Sequence, residues 1–219
     1  MYDLALFPLE TVLFPGTPVH LHIFEPRYLT MIQRCQDESR PFGVALIRQG
    51  LEVGGPARPY RVGCTARIMA VEHLDDGRLN ITARGEERFR IHHLNHDLPY
   101  LVGLVEDWQL GGSHSLDMQR GARRLAPWVQ RYLEAVARAE PVNELNLEEL
   151  QLPDDPLTLL FWSAALLQIP PYEKQPLLEA PPAAILLEAL QRLYRRETSL
   201  LDHLLQTTED QAEKASLLN

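Results

Sequence analysis

His92, His93 and His96 stand in an HHxxH cluster beside Asp97, and imidazoles with a carboxylate form the donor set of a zinc or other transition-metal centre. That chemistry needs the rings gathered on one side. On a strand, His92 and His93 face opposite ways, and the helical spacing of an HExxH pair is absent, so the cluster reads as structural or solvent-exposed. His20 and His22, two residues apart, do share a strand face, but no third ligand stands at a suitable spacing. Neither a metal nor another cofactor is expected.

Carboxylates occur in adjacent pairs at 37–38, 75–76, 86–87, 148–149 and 154–155, mostly where turns or helix starts are expected. Capping and solubility account for them without acid–base catalysis. Ser39, Ser113, Ser115, Ser163 and Ser199 lack a GxSxG elbow, and the chain's two lysines, Lys174 and Lys214, have no evident nucleophile partner. Cys35 and Cys64 are far apart and form no CxxC pair, which points to reduced structural thiols. The expectation is a protein that is not an enzyme.

A binding site is easier to place than a catalytic one. Phe14, Pro15, Phe24, Pro26 and Tyr28 crowd the first turn and the helix that follows it. Core packing is the favoured account of these residues, but Phe14, beside a Pro-Gly turn, is expected to be partly exposed. An exposed apolar patch suits a binder of extended polypeptide. The candidate site is therefore a groove at Phe14, Pro15, Phe24 and Tyr28, covered by the loop at 50–59, whose glycines and prolines mark it as a flap.

These residues need a scaffold, and the first 110 residues read as mostly β. Apolar runs at 44–47, 66–71, 79–83, 87–94 and 100–107 are short, rich in branched and aromatic residues, and separated by turn chemistry. An initial strand broken by Pro8 and a second after Phe14-Pro15-Gly16 precede one helix at about 26–38, which has Pro26 in its first turn. Asp75-Asp76-Gly77 predicts a hairpin pairing 66–74 with 78–84. The implied fold class is α+β, with a small closed or half-closed β-barrel carrying one inserted helix.

Beyond GGSHS at 111–115, apolar residues recur at helical spacing. Helices are expected at about 116–139, 144–151, 155–168, 173–179 and 182–205, with starts marked by Asp117, Asn143, Asp154 and Pro182, and repeated prolines keeping several of them short. The expected domains are a barrel over 1–112, a helical bundle over 113–208 and a polar tail over 209–219 that frays.

Composition narrows the partners. The net charge is −9, with 11 basic against 14 acidic residues in 1–110 and 10 against 16 thereafter, so nucleic acid is a poor partner. Arg84, Arg88 and Arg90 could form a local basic strip but are read as the solvated face of a strand. The longest apolar run, 157–169, is shorter than the ~20 residues of a membrane span. No signal peptide is evident, and a cytoplasmic location is expected.

Three blocks, in order along the chain, resemble the Lon protease N-terminal, substrate-binding domain family. They are LFPLETVLFPGTPVHLHIFEPRY, VGCTARIMAVEHLDDGRLNITARGEERFRI and the stretch from Asp154 to Leu201 that contains KQPLLE. The resemblance implies a PUA-like β-barrel followed by a helical bundle. The GxxxxGK[ST] loop of the Lon ATPase and the Ser–Lys pair of its protease are absent from this sequence, so a stand-alone, non-catalytic member is expected. It would bind unfolded or degron-bearing polypeptide, or a protease component. RNA or modified-nucleotide binding through the barrel is the alternative, and small-molecule capture in the barrel mouth a third.

Overall fold

The computed structural model describes residues 1–55, 57–112, 116–139 and 152–216. The helix expected at 144–151, with Asn143, and the linker serines Ser113 and Ser115 lie outside the described residues. By contacts the chain divides into two compact units, one formed by Met1–Gly111 with Ala164–Pro181 and the other by Gly112–Ser163 with Pro182–Asn219.

In the first unit, strands β1 (Tyr2–Leu9), β2 (Pro18–Ile23), β3 (Phe42–Gly50), β4 (Ala57–Pro59), β5 (Val62–His73), β6 (Leu79–Asn95) and β7 (Leu101–Asp107) form one sheet system. Its pairings close a ring: β1 with β7, β7 with β6, β6 with β5, β5 with β3, and β3 back onto β1 in parallel, from Leu6 against Gly43 to Leu9 against Leu46. A parallel pair needs a crossover, and β2 with helix α1 (Pro26–Asp37) supplies it. The barrel is thus closed.

The two-residue period of β1 divides its side chains between two cores. Leu4 and Leu6 join Ala45, Phe89, Ile91 and Val105, while Phe7 and Leu9 join Tyr28, Met31, Ile32 and Cys35 of α1. The hairpin at Asp75–Gly77 forms as its residues dictate: Gly77 takes φ +81°, and the Leu74 amide donates to Arg78 O at 2.9 Å.

Several sequence expectations need correction. β1 runs through Pro8 rather than breaking there, with Pro8 opposite Ala45 near the strand end, where one lost donor is tolerated. The runs at 79–83 and 87–94 are one 17-residue strand, β6, continuous through Gly85. The flap at 50–59 contains a short strand, β4, paired with the end of β3.

Helices α2 (Leu116–Ala139), α3 (Pro156–Leu166), α4 (Pro171–Glu179) and α5 (Ala183–Ser216) complete the described fold. α3 is capped by Asp155 rather than Asp154: its Oδ2 accepts from the Thr158 amide at 2.8 Å and the Thr158 hydroxyl at 2.7 Å. α5 continues to Ser216, through most of the stretch expected to fray. In the second unit α2 and α5 meet closely at Gly121, where an added Cβ would lie 2.1 Å from Leu187 Cδ2. Tyr132 and Tyr194 pack edge to face with centroids 5.3 Å apart, and Arg131 pairs with Asp202 at 2.8 Å.

The KQPLLE block is a fastening of α4 onto the barrel, all within the first unit. Lys174 Nζ donates to Ala165 O at 2.8 Å, and burial holds its pKa below the ordinary lysine value. Gln175 Nε2 donates to Val62 O at 3.0 Å, and Leu177 and Leu178 are buried. Arg88 and Trp108 receive the helix's last carbonyls: Arg88 Nη1 donates to Leu178 O and Ala180 O, and Trp108 Nε1 to Glu179 O. Arg88 is therefore 3 % exposed, not on a solvated strand face. Burial lowers its pKa to about 10. Arg90 lies over the Trp108 ring at 3.4 Å, and Arg84 donates to Gly16 O, so the three arginines form no open basic strip.

Candidate functional site

The first turn is sewn to β6. Gly16, with φ +80°, donates to Gly85 O at 2.8 Å, Gly85 returns a bond to Thr17 O at 2.9 Å, and the Thr17 hydroxyl donates to Phe14 O at 2.8 Å. Phe14 is consequently fully buried, against the exposure expected of it. Pro15 is half-buried. Tyr28 is also buried, its ring stacked on Phe7 with centroids 4.0 Å apart. Its hydroxyl pKa is raised by that burial, with Arg27 opposing the shift. Phe24 alone of the four is open, 46 % exposed with its ring 6.0 Å from that of His22.

Next to Phe24 the flap is held down by charge. Arg27 pairs with Glu25 at 3.0 Å, lies 4.5 Å from the Tyr28 ring centroid, and donates to Gly55 O at 3.3 Å and Glu52 O at 3.4 Å. Glu25 in turn accepts from the Gly54 amide at 3.3 Å, and Glu52 from the Glu10 amide at 2.8 Å. The flap thus rests on the start of α1, with Leu51 and Val53 exposed beside the pinned backbone.

Sequence reasoning missed the larger concavity. A groove of about 290 Å³ is lined by Arg27, Tyr28, Ala57, Leu98 and Tyr100, and a second of about 520 Å³ by Tyr2, Arg34, Cys35, Arg40, Leu98 and Tyr100. Leu98 and Tyr100 line both, making one furrow along the segment that enters β7. Leu98 is exposed, Tyr100 buried, and Arg34 Nη1 donates to the Tyr100 hydroxyl at 3.3 Å. At the far wall Tyr2 donates to Asp107 at 3.1 Å; burial, with Asp107, pushes its pKa up to about 12. Leu98-Pro99-Tyr100 after Asn-His-Asp was the available signal, an apolar triplet in a turn.

Three of the histidines have side-chain partners. His92 pairs with Glu106 at 2.9 Å, His20 with the Thr82 hydroxyl at 3.1 Å and His22 with Asn80 Oδ1 at 2.8 Å. Among the described residues no three His, Cys, Asp or Glu side chains gather as a metal site. The Ser163 hydroxyl is buried and donates to Leu159 O at 2.6 Å. Among the described residues no helix is long and apolar enough to cross a membrane. The furrow offers apolar side chains flanked by Arg27, Arg34 and Arg40 and by the carboxylates of Asp3 and Glu38.

Comparison with known proteins converges on one family. The ATP-dependent protease La (LON) substrate-binding domain family matches residues 3–196. The Lon protease of Methylocella silvestris is 26% identical over 169 residues, which make up 77% of this chain and 20% of that protein. Lon protease 1 of Hydrogenovibrio crunogenus is 25% identical over 88% of this chain and 23% of its own length. The chain therefore spans about a fifth to a quarter of these two relatives. A LON peptidase N-terminal domain and RING finger protein of Schizosaccharomyces pombe is 35% identical over 40% of the chain and 20% of that protein. Among solved structures, a Lon N-terminal domain protein from Xanthomonas campestris aligns with TM-score 0.61 and 26% identity, covering 88% of this chain and 98% of its own. The N-terminal domain of a Mycobacterium avium complex Lon protease aligns with TM-score 0.67 at 19% identity, over 89% and 98% of the two chains, a likeness of fold.

Proposed function

This chain belongs to the ATP-dependent protease La (LON) substrate-binding domain family, and from that premise we propose that it is a non-catalytic recognition module for polypeptide. The ligand is an unfolded or degron-bearing segment, or a protease component that presents one. The observation that carries the reading is the family match over residues 3–196, nearly the whole chain. The furrow along Leu98 and Tyr100 supports it, because an apolar cleft flanked by charged side chains of both signs suits an extended chain better than a folded surface.

The binding surface we propose joins the furrow to Phe24. Tyr28 contributes as a groove wall, while Phe14 and Pro15 act by holding the turn in place. Burial of apolar side chains drives binding in the furrow itself, so that contribution should depend little on salt.

The test compares native α-lactalbumin with its reduced, carboxymethylated, unfolded form as ligands for the immobilised protein over a salt series. Selective capture of the unfolded form, weakened about tenfold by Leu98→Glu with the fold intact by circular dichroism, is the expected result. Equal indifference to both forms, alongside salt-sensitive capture of single-stranded RNA, would overturn it.

A further inference from the structure

We propose that the groove between the end of α1 and the free edge of β5 takes an extended polypeptide segment as an added β-strand, its acidic side chains meeting Arg40 and Arg67. The inference rests on the polypeptide-recognition reading above and supplies its mode.

The free edge follows from register. β5 has β6 on one side throughout, but β3 accompanies its other side only from Cys64 to Ala66. From Arg67 to His73 that second side has no strand partner among the described residues. Seven residues present an edge of about 20 Å, enough for a strand of ordinary length, with outward backbone N–H and C=O groups at alternate residues. Such edges pair with any accessible extended chain unless they are blunted. Here the bulge between Ile68 and Ala70 bends one end, yet Met69 is 62 % exposed, Ala70 is exposed and carries only a methyl group, and Ile68 and Val71 are half-buried. Of the other edge strands among the described residues, β4 is only three residues long, and β2 opens on Pro18 and carries His20 and His22 in side-chain bonds to β6.

A groove of about 590 Å³ runs along this edge, its opposite wall made by Cys35, Gln36, Ser39 and Arg40. Its lining contains Arg40, Arg67 and His73 and no carboxylate, in a chain whose net charge is −9. Arg40 pairs with Glu38 at 3.4 Å and Arg67 with Glu86, but both arginine side chains are about half or more open to solvent. The charge therefore favours an acidic occupant. Cys35 and Arg40 also line the 520 Å³ groove, so furrow and β5 edge form one track around the end of α1. A helix wall beside an unpaired strand is the geometry in which backbone hydrogen bonds supply affinity and alternate side chains supply specificity.

The test uses a capped octapeptide of alternating valine and glutamate, titrated against the full chain, and two versions N-methylated at its odd or its even residues. A strand added at one edge uses the N–H groups of one set only. One methylated version should therefore lose affinity about tenfold or more while the other binds as the parent does. Binding should slow amide exchange from Arg67 to His73, a lysine-for-glutamate peptide should bind more weakly, and Arg40→Glu should narrow that preference. Equal binding of both methylated versions, or protection confined to 51–55 and 96–101, overturns the strand-addition mode. Carboxymethylated α-lactalbumin separates the two failures: if it binds without protecting 67–73, polypeptide recognition stands and this mode falls. If neither ligand binds, both fall.

Discussion

Arg88 Nη1, in the middle of β6, lies 2.6 Å from the carbonyl oxygen of Leu178 and so caps a helix ninety residues away in the chain. The same nitrogen reaches Ala180 O at 2.8 Å, with Trp108 Nε1 holding the intervening Glu179 O at 3.2 Å. A buried guanidinium satisfying the carbonyls at a helix C-terminus both meets their need for donors and complements the helix dipole.

Arg88→Met keeps the bulk and removes the donors, leaving two buried carbonyls poorer by a charged partner. The expected loss is about 2–4 kcal/mol in urea unfolding, with Arg88→Lys intermediate. Amide exchange in 171–179 should accelerate in both variants. Unchanged exchange there would mean that Trp108 and the packing of Leu177 and Leu178 hold α4 alone.

The Glu25–Arg27 pair governs the flap. Glu25→Gln weakens the acceptor for the Gly54 amide and frees Arg27 from its carboxylate, whereas the stacking of Tyr28 on Phe7 is untouched. Global stability should fall by no more than about 1 kcal/mol, the ordinary worth of a partly exposed pair. Exchange of the 52–55 amides should speed up markedly while that of α1 does not. Equal acceleration in both would show that the pair holds the helix rather than the loop.

Cys35 gives a pH signature. Burial, aided by Glu38 and opposed by Arg34 and Arg40, pushes its thiol up to about 11. The thiolate is the nucleophile, so alkylation of Cys35 by iodoacetamide, read by peptide mass spectrometry, should rise with a midpoint near 11 in the folded protein and near 9 in urea. The folded pKa lies above the unfolded one, so this group's stabilising contribution is complete below about pH 9 and is lost as pH climbs through 11. A midpoint near 9 in the folded protein would mean that the groove wall opens to water.

In the second unit, Tyr194 is fully buried and donates to Ser163 O at 2.8 Å, its pKa raised chiefly by burial. Tyr194→Phe keeps the edge-to-face contact with Tyr132 and strips that carbonyl of its donor. The expected loss is about 1–2 kcal/mol, measured by chemical denaturation. A neutral result would show that the Ser163 carbonyl is satisfied otherwise.

Local chemistry was legible in the sequence where it acts over a few residues. The Asp-Asp-Gly hairpin, the Pro-started α1 and the β-then-α order all follow from turn residues and periodicity. What escaped depends on partners distant in the chain. Arg88 looks like a strand-face residue until α4 arrives, and Phe14 looks exposed until Gly85 draws its turn inward. The furrow combines α1 with Leu98 and Tyr100, and the β5 edge is free because β3 begins only at Phe42, a matter of register that composition does not encode.

Gly85 tests that long-range logic most directly. Its φ is not positive, so an alanine there meets no conformational penalty of its own. The obstacle is space: an added Cβ would lie 2.3 Å from Phe14 O, a backbone atom unable to swing aside, and 3.2 Å from Cys64 Sγ. Gly85→Ala should push the turn off β6, break the paired bonds between Gly85 and residues 16 and 17, and destabilise by about 2–4 kcal/mol. Gly77 is the converse case, with φ +81° and nothing within 4 Å of an added Cβ, so Gly77→Asn should change stability by less than about 1 kcal/mol. Amide exchange at 16–17 separates the explanations. If Gly85→Ala destabilises without loosening those amides, the harm lies at Cys64 in the core, and Phe14 is buried for reasons other than the stitch to β6.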